Sequence, residues 1–341
     1  MNRLKIFALS ILGFFGVAGV ASAHEAYVLP YNTFWSGIKQ PFSAEAFNAL
    51  KSPQNIHITI EIGLSVIVLL ILNFIFRRSK LGHKASNFIE RFSGLGTHFV
   101  RIAIAIALFF SALSSTFLGP ELHGSLFSYP HLLQISLFVI SIMIAIGFMT
   151  EIAALAGIII FISSMFVFGP YVFTYLNYLG ELIVLFLFGI RAFSVDKYLF
   201  GPLQRFRSFE KYETLIVRVF YGLALVYAAV TVKLLHPELT LLVVNTWHLT
   251  QFHWLFPSDP LLVVFGAGVV ECIIGLFILF GFELRLTVII SLFYITLSLL
   301  FFRELVWPHI LLYGISFNLL VQPETFTLDN FFLKRKIKAR A

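Results

Sequence analysis

Apolar residues run along this chain in long unbroken blocks, not in the alternating or three-to-four spacing of a soluble core. Nine blocks follow a weaker N-terminal run: 56–76, 97–118, 131–149, 152–173, 177–193, 213–235, 261–281, 284–302 and 305–322. An α-helix needs about 20 apolar residues to cross the hydrocarbon core of a bilayer. The pattern therefore predicts an all-α polytopic membrane protein with about nine transmembrane helices. The polar intervals group the helices as one (55–76) followed by two four-helix bundles.

The N-terminal run has the layout of a secretory signal. Arg3 and Lys5 precede IFALSILGFFGVAGV, and Ala21-Ser22-Ala23 supplies the small residues that a signal peptidase requires. Residues 1–23 are read as a cleaved signal peptide, with an uncleaved anchor helix as the alternative. Cleavage exposes His24 and leaves 24–54, with Pro30, Pro41 and Pro53, as a polar extracytoplasmic segment.

Composition agrees: 59% of residues are apolar, 12% are charged and the mean hydropathy is +0.92. In a membrane protein the net charge of +7 reports topology before partners. Arg77, Arg78, Lys80, Lys84 and Arg91 follow the first span. Arg191, Lys197, Arg205, Arg207 and Lys211 follow the fifth, and Lys334, Arg335, Lys336, Lys338 and Arg340 follow the ninth. With nine spans all three clusters share one side, which the positive-inside rule makes cytoplasmic. The other side carries only Lys39, Lys51, Lys233 and Arg303. The expected location is a bacterial or archaeal cytoplasmic (inner) membrane, N-terminus outside and C-terminus in the cytoplasm. The basic loop 77–96 and the tail 334–341 suit anionic lipid, so the bilayer is the expected partner and nucleic acid is not. The single cysteine, Cys272, excludes an intrachain disulfide and any CxxC site.

The chain also repeats itself. STFLGPEL (115–122) matches VKLLHPEL (232–239), IGFMTEIAAL (146–155) matches FGFELRLTVI (280–289), and AFSVDKYLF (192–200) matches TFTLDNFFL (325–333). Arg101 and Arg218 each open the first helix of a unit, so 97–200 and 213–333 read as two parallel four-helix units. Each unit resembles a DoxX-like membrane domain. That pattern has an Arg near the start of helix one, a Lys at its far end, and a closing G-x-x-x-x-S-x-D element. Gly189, Ser194 and Asp196 match the element in the first unit; Thr327 and Asp329 match it in the second, where Gln322 replaces the glycine. Arg218 and Lys233 match in the second unit, and Arg101 in the first, where Thr116 replaces the lysine. The resemblance implies a membrane subunit of a quinone- or thiol-linked redox complex, like the DoxD-type subunits of thiosulfate:quinone oxidoreductase, working with another redox subunit or a periplasmic protein.

Charged groups inside a span are functional candidates by default. Glu181 lies one turn into the fifth span and Glu271 near the middle of the seventh. Either can pass a proton or bond a quinone carbonyl, or can simply join helices. Both are expected to line a polar cavity open to the outer side, with His309 at its mouth. Arg218, Lys233 and His309 are the residues expected to meet a bound quinone. Glu61 follows His57 by one turn in the first span.

Eight of ten histidines fall on the outer side by this topology, which raises copper or another metal as a second class of function. A mature N-terminal His24 offers its amino nitrogen and ring Nδ1, with His57, His248 and His253 as partners. The headgroup zone accounts for His248 and His253 equally well. Small-solute transport between the units is a third reading. Nucleotide-loop, Rossmann, HExxH and nucleophile-elbow motifs are absent from the sequence.

Overall fold

The computed structural model describes residues 25–189, 194–200, 207–252 and 256–331. The expected signal peptide, His24, His253 and the basic tail 334–341 lie outside the described residues. Among the described residues, six stretches are long and apolar enough to cross a membrane: Pro53–Arg78, Ser93–Leu113, Thr150–Phe188, Phe209–Leu234, Pro260–Phe280 and Leu284–Phe301. Pro130–Ile146 and Trp307–Val321 are shorter apolar helices. The fold is that of a multi-pass all-α membrane protein, with one small antiparallel hairpin, Thr116–Phe117 (β1) with Gly119–His123 (β2).

In chain order the helices are α1 (Glu25–Val28), α2 (Tyr31–Ile38), α3 (Pro53–Arg78), α4 (Lys80–Glu90) and α5 (Ser93–Leu113). Then come α6 (Pro130–Ile146), α7 (Thr150–Phe168), α8 (Leu176–Phe188), α9 (Val195–Phe200), α10 (Glu213–Ala228) and α11 (Pro237–Thr246). The last three are α12 (Pro260–Phe280), α13 (Leu284–Phe301) and α14 (Ile310–Val321).

Nine full spans are not shown: Pro130–Ile146 and Trp307–Val321 fall short, and the expected spans 152–173 and 177–193 lie in one apolar stretch. Thr150–Phe188 is 39 residues long but turns back on itself at Gly169-Pro170. A Cβ on Gly157 would meet Leu182, and one on Gly189 would meet Thr150, so α7 and α8 run antiparallel. Helix α6 has 17 residues, about 25 Å at the α-helical rise, short of a hydrocarbon core of about 30 Å. Pro130 starts it and the left-handed Gly147 stops it.

Helices α5–α8 pack as one closed group and α10, α12, α13 and α14 as another. The groups join reciprocally: α5 packs on α14, and α8 packs on α10. At one end of the molecule both groups turn a corner in the same way. Gly147 (φ 69°) and Gly281 (φ 66°) end α6 and α12, and Met149 (φ 46°) and Glu283 (φ 43°) start α7 and α13. Asp196 accepts the Met149 and Thr150 N–H groups at 2.7 and 3.0 Å and the Thr150 hydroxyl at 3.0 Å. Asp329 accepts the Glu283 N–H at 3.0 Å. These aspartates satisfy helix-start donors whose backbone geometry no residue on the helix itself can cap. Asp196→Ala should lower stability by about 2 kcal/mol, with Asp196→Asn intermediate, in thermal unfolding of the detergent-solubilised protein.

The opposite end, called the pocket end below, is covered by the segment that precedes α3. The sequence reading treats 24–54 as a polar extracytoplasmic stretch. In the structure it is folded onto the helices: Glu25, Ala26, Tyr27 and Phe34 are all buried. Helix α3 behaves oppositely. Its apolar residues are exposed on every face, as suits contact with lipid. It is tied at its ends, by Asn55 to Ala49 O and Asp259 at 2.8 and 2.5 Å and by Asn73 to Glu283 at 2.6 Å.

Candidate functional site

At the pocket end a cavity opens between the second helix group and α8 of the first. Helix α10 loses its α-helical register over Ala229–Leu234, where a π-helical turn carries Lys233 inward. Such wide turns recur at functional sites because they aim a side chain that regular spacing would turn away. Lys233 Nζ lies 2.8 Å from Glu271 of α12 and 3.3 Å from Glu25 of α1. Thr240 of α11 donates to Glu25 at 2.9 Å. All three ionised groups are buried, so each relies on the others for the hydration it has lost.

Across the cavity His309 Nε2 is 2.6 Å from Glu304, and its Nδ1 is 2.9 Å from the Leu305 carbonyl. Ser298 donates to the other Glu304 oxygen at 2.6 Å. A carbonyl oxygen can only accept, so Nδ1 carries a hydrogen. Nε2 then faces a carboxyl group across a hydrogen-bond distance.

These groups wall a cavity of about 110 Å³, measured as the space open to the centre of a water molecule. Tyr27, Tyr175, Tyr178, Tyr221 and Tyr294 add hydroxyls, and Ile274, Ile295 and Leu312 add apolar surface. The Tyr178 hydroxyl is buried and has no hydrogen-bond partner among the described residues. Behind the tyrosines lies Glu121 of β2, which accepts from Tyr175 at 2.6 Å and Tyr171 at 3.0 Å.

The first helix group supplies tyrosines to this wall but, among the described residues, no ion pair at the positions that match Lys233 and Glu271. Thr116 stands where the repeat puts Lys233, and Leu137 stands where it puts Glu271. Leu137 is fully buried with Phe117, Leu122 and Phe161, a closed apolar core.

Of the residues singled out from sequence, Glu271, Lys233 and His309 meet around the cavity. Glu181 does not line it. It is buried on α8, one turn past the lining residues Asn177 and Tyr178, where helix packing encloses it. Arg218 lies at the corner end beside Gly281, donating to Phe326 O at 2.8 Å, a full helix length away from the site. His57 pairs with Glu61 at 3.1 Å on the exposed face of α3. His248 sits in a left-handed turn after α11. His24 and His253 are outside the described residues, and among those described no group of three or more His, Cys, Asp or Glu is placed to hold a metal.

Sequence reasoning missed Glu25, Glu304, Tyr27 and Tyr178. Glu25 follows the cleavage motif and Glu304 sits in a loop, so neither is an intramembrane charge by position. Only the fold turns them inward.

The fold and the cavity together define a multi-pass α-helical membrane protein with an ionisable, tyrosine-walled chamber where α8 and the Gly169–Tyr175 turn of one helix group meet α10, α12, α13 and α14 of the other. No protein-family model, no curated protein and no solved structure matches the chain.

Proposed function

We propose that this protein is the membrane subunit of a quinone- or thiol-linked redox complex, built from two DoxX-like four-helix units, and that a quinol head group binds in the pocket-end cavity. The nine-span topology, the prokaryotic cytoplasmic membrane, the outward orientation of the pocket end and the need for a separate redox subunit all belong to this proposal. The observation that carries it is the unpartnered, buried Tyr178 hydroxyl in a wall that also holds the Lys233–Glu271 and Glu304–His309 pairs.

The chemistry suits a dihydroxy ring. Apolar residues flank its faces, hydroxyl and imidazole groups meet its two oxygens, and carboxylates accept the protons released on oxidation. The electrons leave to the partner subunit. A cavity of this size is comparable to those that hold one aromatic ring. The copper reading rests on His24.

Binding of decylubiquinol to the protein in lipid nanodiscs tests the proposal. Glu271→Gln should weaken binding about tenfold and Tyr178→Phe about fivefold, the loss of one hydrogen bond each. Wild-type protein that binds no quinol overturns the reading.

A further inference from the structure

Glu121 is not on the cavity surface, yet it is wired to it. Its carboxyl is buried in the hairpin between α5 and α6, outside the spanning helices. Tyr175 Oη donates to its Oε1 at 2.6 Å, and Tyr171 Oη donates to the same oxygen at 3.0 Å. Because the Tyr175 proton points at Glu121, the 2.9 Å contact between Tyr27 and Tyr175 must have Tyr27 as its donor. The chain of O–H groups therefore runs one way, from the cavity toward the acid. The second oxygen, Oε2, is buried without a hydrogen-bond partner, leaving a free position for a proton.

The surroundings of Glu121 are neutral. Trp35 of α2 donates to the Glu121 backbone carbonyl at 3.2 Å, and Tyr27, Tyr171, Tyr175 and Tyr178 face the side chain from α1, the Gly169–Tyr175 turn and α8. No ion pair reaches it among the described residues. Burial pushes its carboxyl up to about 7, although the Tyr175 and Tyr171 hydrogen bonds pull downward. The matching residue of the second unit, Glu238, is exposed, so this burial is particular to one site.

We propose that Glu121 is the proton-accepting group of the cavity, loaded through Tyr27 and Tyr175. The identity of the donor rests on the quinol reading above. A ligand hydroxyl passes its proton to Tyr27 Oη, the Tyr27 proton moves to Tyr175 Oη, and the Tyr175 proton moves to Glu121 Oε1. The ligand becomes an oxyanion in the chamber that holds Lys233, Glu121 becomes a neutral acid, and no electrons move in this step.

The test uses infrared titration of the full-length protein in nanodiscs without quinol. A protonated-carboxyl band should titrate near neutral pH in wild type and be missing in Glu121→Gln, whose amide still accepts from both tyrosines. Tyr27→Phe should leave the equilibrium band unchanged and slow its appearance after a pH jump about tenfold, an effect a purely structural tyrosine would not produce. A band that survives Glu121→Gln, or a jump rate unchanged by Tyr27→Phe, overturns the relay. Decylubiquinol binding separates the two proposals. Binding without a Glu121 titration refutes the relay alone, and a working relay in protein that binds no quinol refutes the quinol assignment alone.

Discussion

Lys233→Met should be among the most damaging single substitutions in this protein, lowering stability by about 3–5 kcal/mol. Lys233 is buried between Glu271 at 2.8 Å and Glu25 at 3.3 Å, and both carboxylates are themselves buried. Removing the ammonium abandons two negative charges at a site that water cannot rehydrate. The triple variant Glu25→Gln, Lys233→Met, Glu271→Gln should recover most of the stability, since replacing a whole buried ion cluster by neutral groups is close to neutral. Thermal unfolding of the wild type and the two variants in nanodiscs reads this directly. A triple variant no more stable than Lys233→Met would mean that packing of the lysine stem, not its charge, carries the effect. Stability restored without quinol binding restored would place the triad in the site's chemistry.

Arg77→Ala should come next, at about 2–4 kcal/mol. Arg77 closes α3 and reaches three acids of the second helix group: Glu283 at 3.0 Å, Asp329 at 2.7 Å and Glu324 at 2.5 Å. Its side chain is 31% exposed, against 7%, 10% and 14% for its partners, so solvent relieves part of the loss. Arg285 stays near Glu324 at 3.6 Å and bonds Glu90 at 2.8 Å, which leaves α4 attached. Helix α3 buries almost none of its apolar surface, so these end contacts hold it in place. The variant should be cut faster by trypsin at Arg78 and Lys80. Arg77→Lys should rescue only part of the loss, because one ammonium cannot span acids that the guanidinium fork meets on separate nitrogens. Unchanged proteolysis and unchanged unfolding in Arg77→Ala would show that lipid contact alone holds α3.

Much of this was legible in the sequence, for physical reasons. A bilayer demands long apolar blocks and internally satisfied backbone, so membrane class and helical content follow from composition and run length. Asp196 and Asp329 lie in matched segments, and the matching corners they cap are visible as repeated sequence. Glu271, Lys233 and His309 stood out because a charge or imidazole in an apolar run has few innocent places to be. Their convergence is a property of the fold. Run length also misled: 131–149 and 305–322 read as full spans, yet helix stops such as Gly147 act on backbone angle and leave little trace in hydropathy.

What the tertiary structure alone decided is which polar groups share the chamber. Glu181 and Arg218 have the same intramembrane signature as Glu271, but helix packing encloses one a turn past the cavity and places the other at the far end. Glu25, Tyr27, Glu121 and Glu304 lie in connecting segments that read as solvated, and chain folding buries all four. Hydropathy senses the medium around a helix, and that is written residue by residue along the chain. A site depends on distances between residues as far apart as Glu25 and Glu271, and those exist only after the helices have packed.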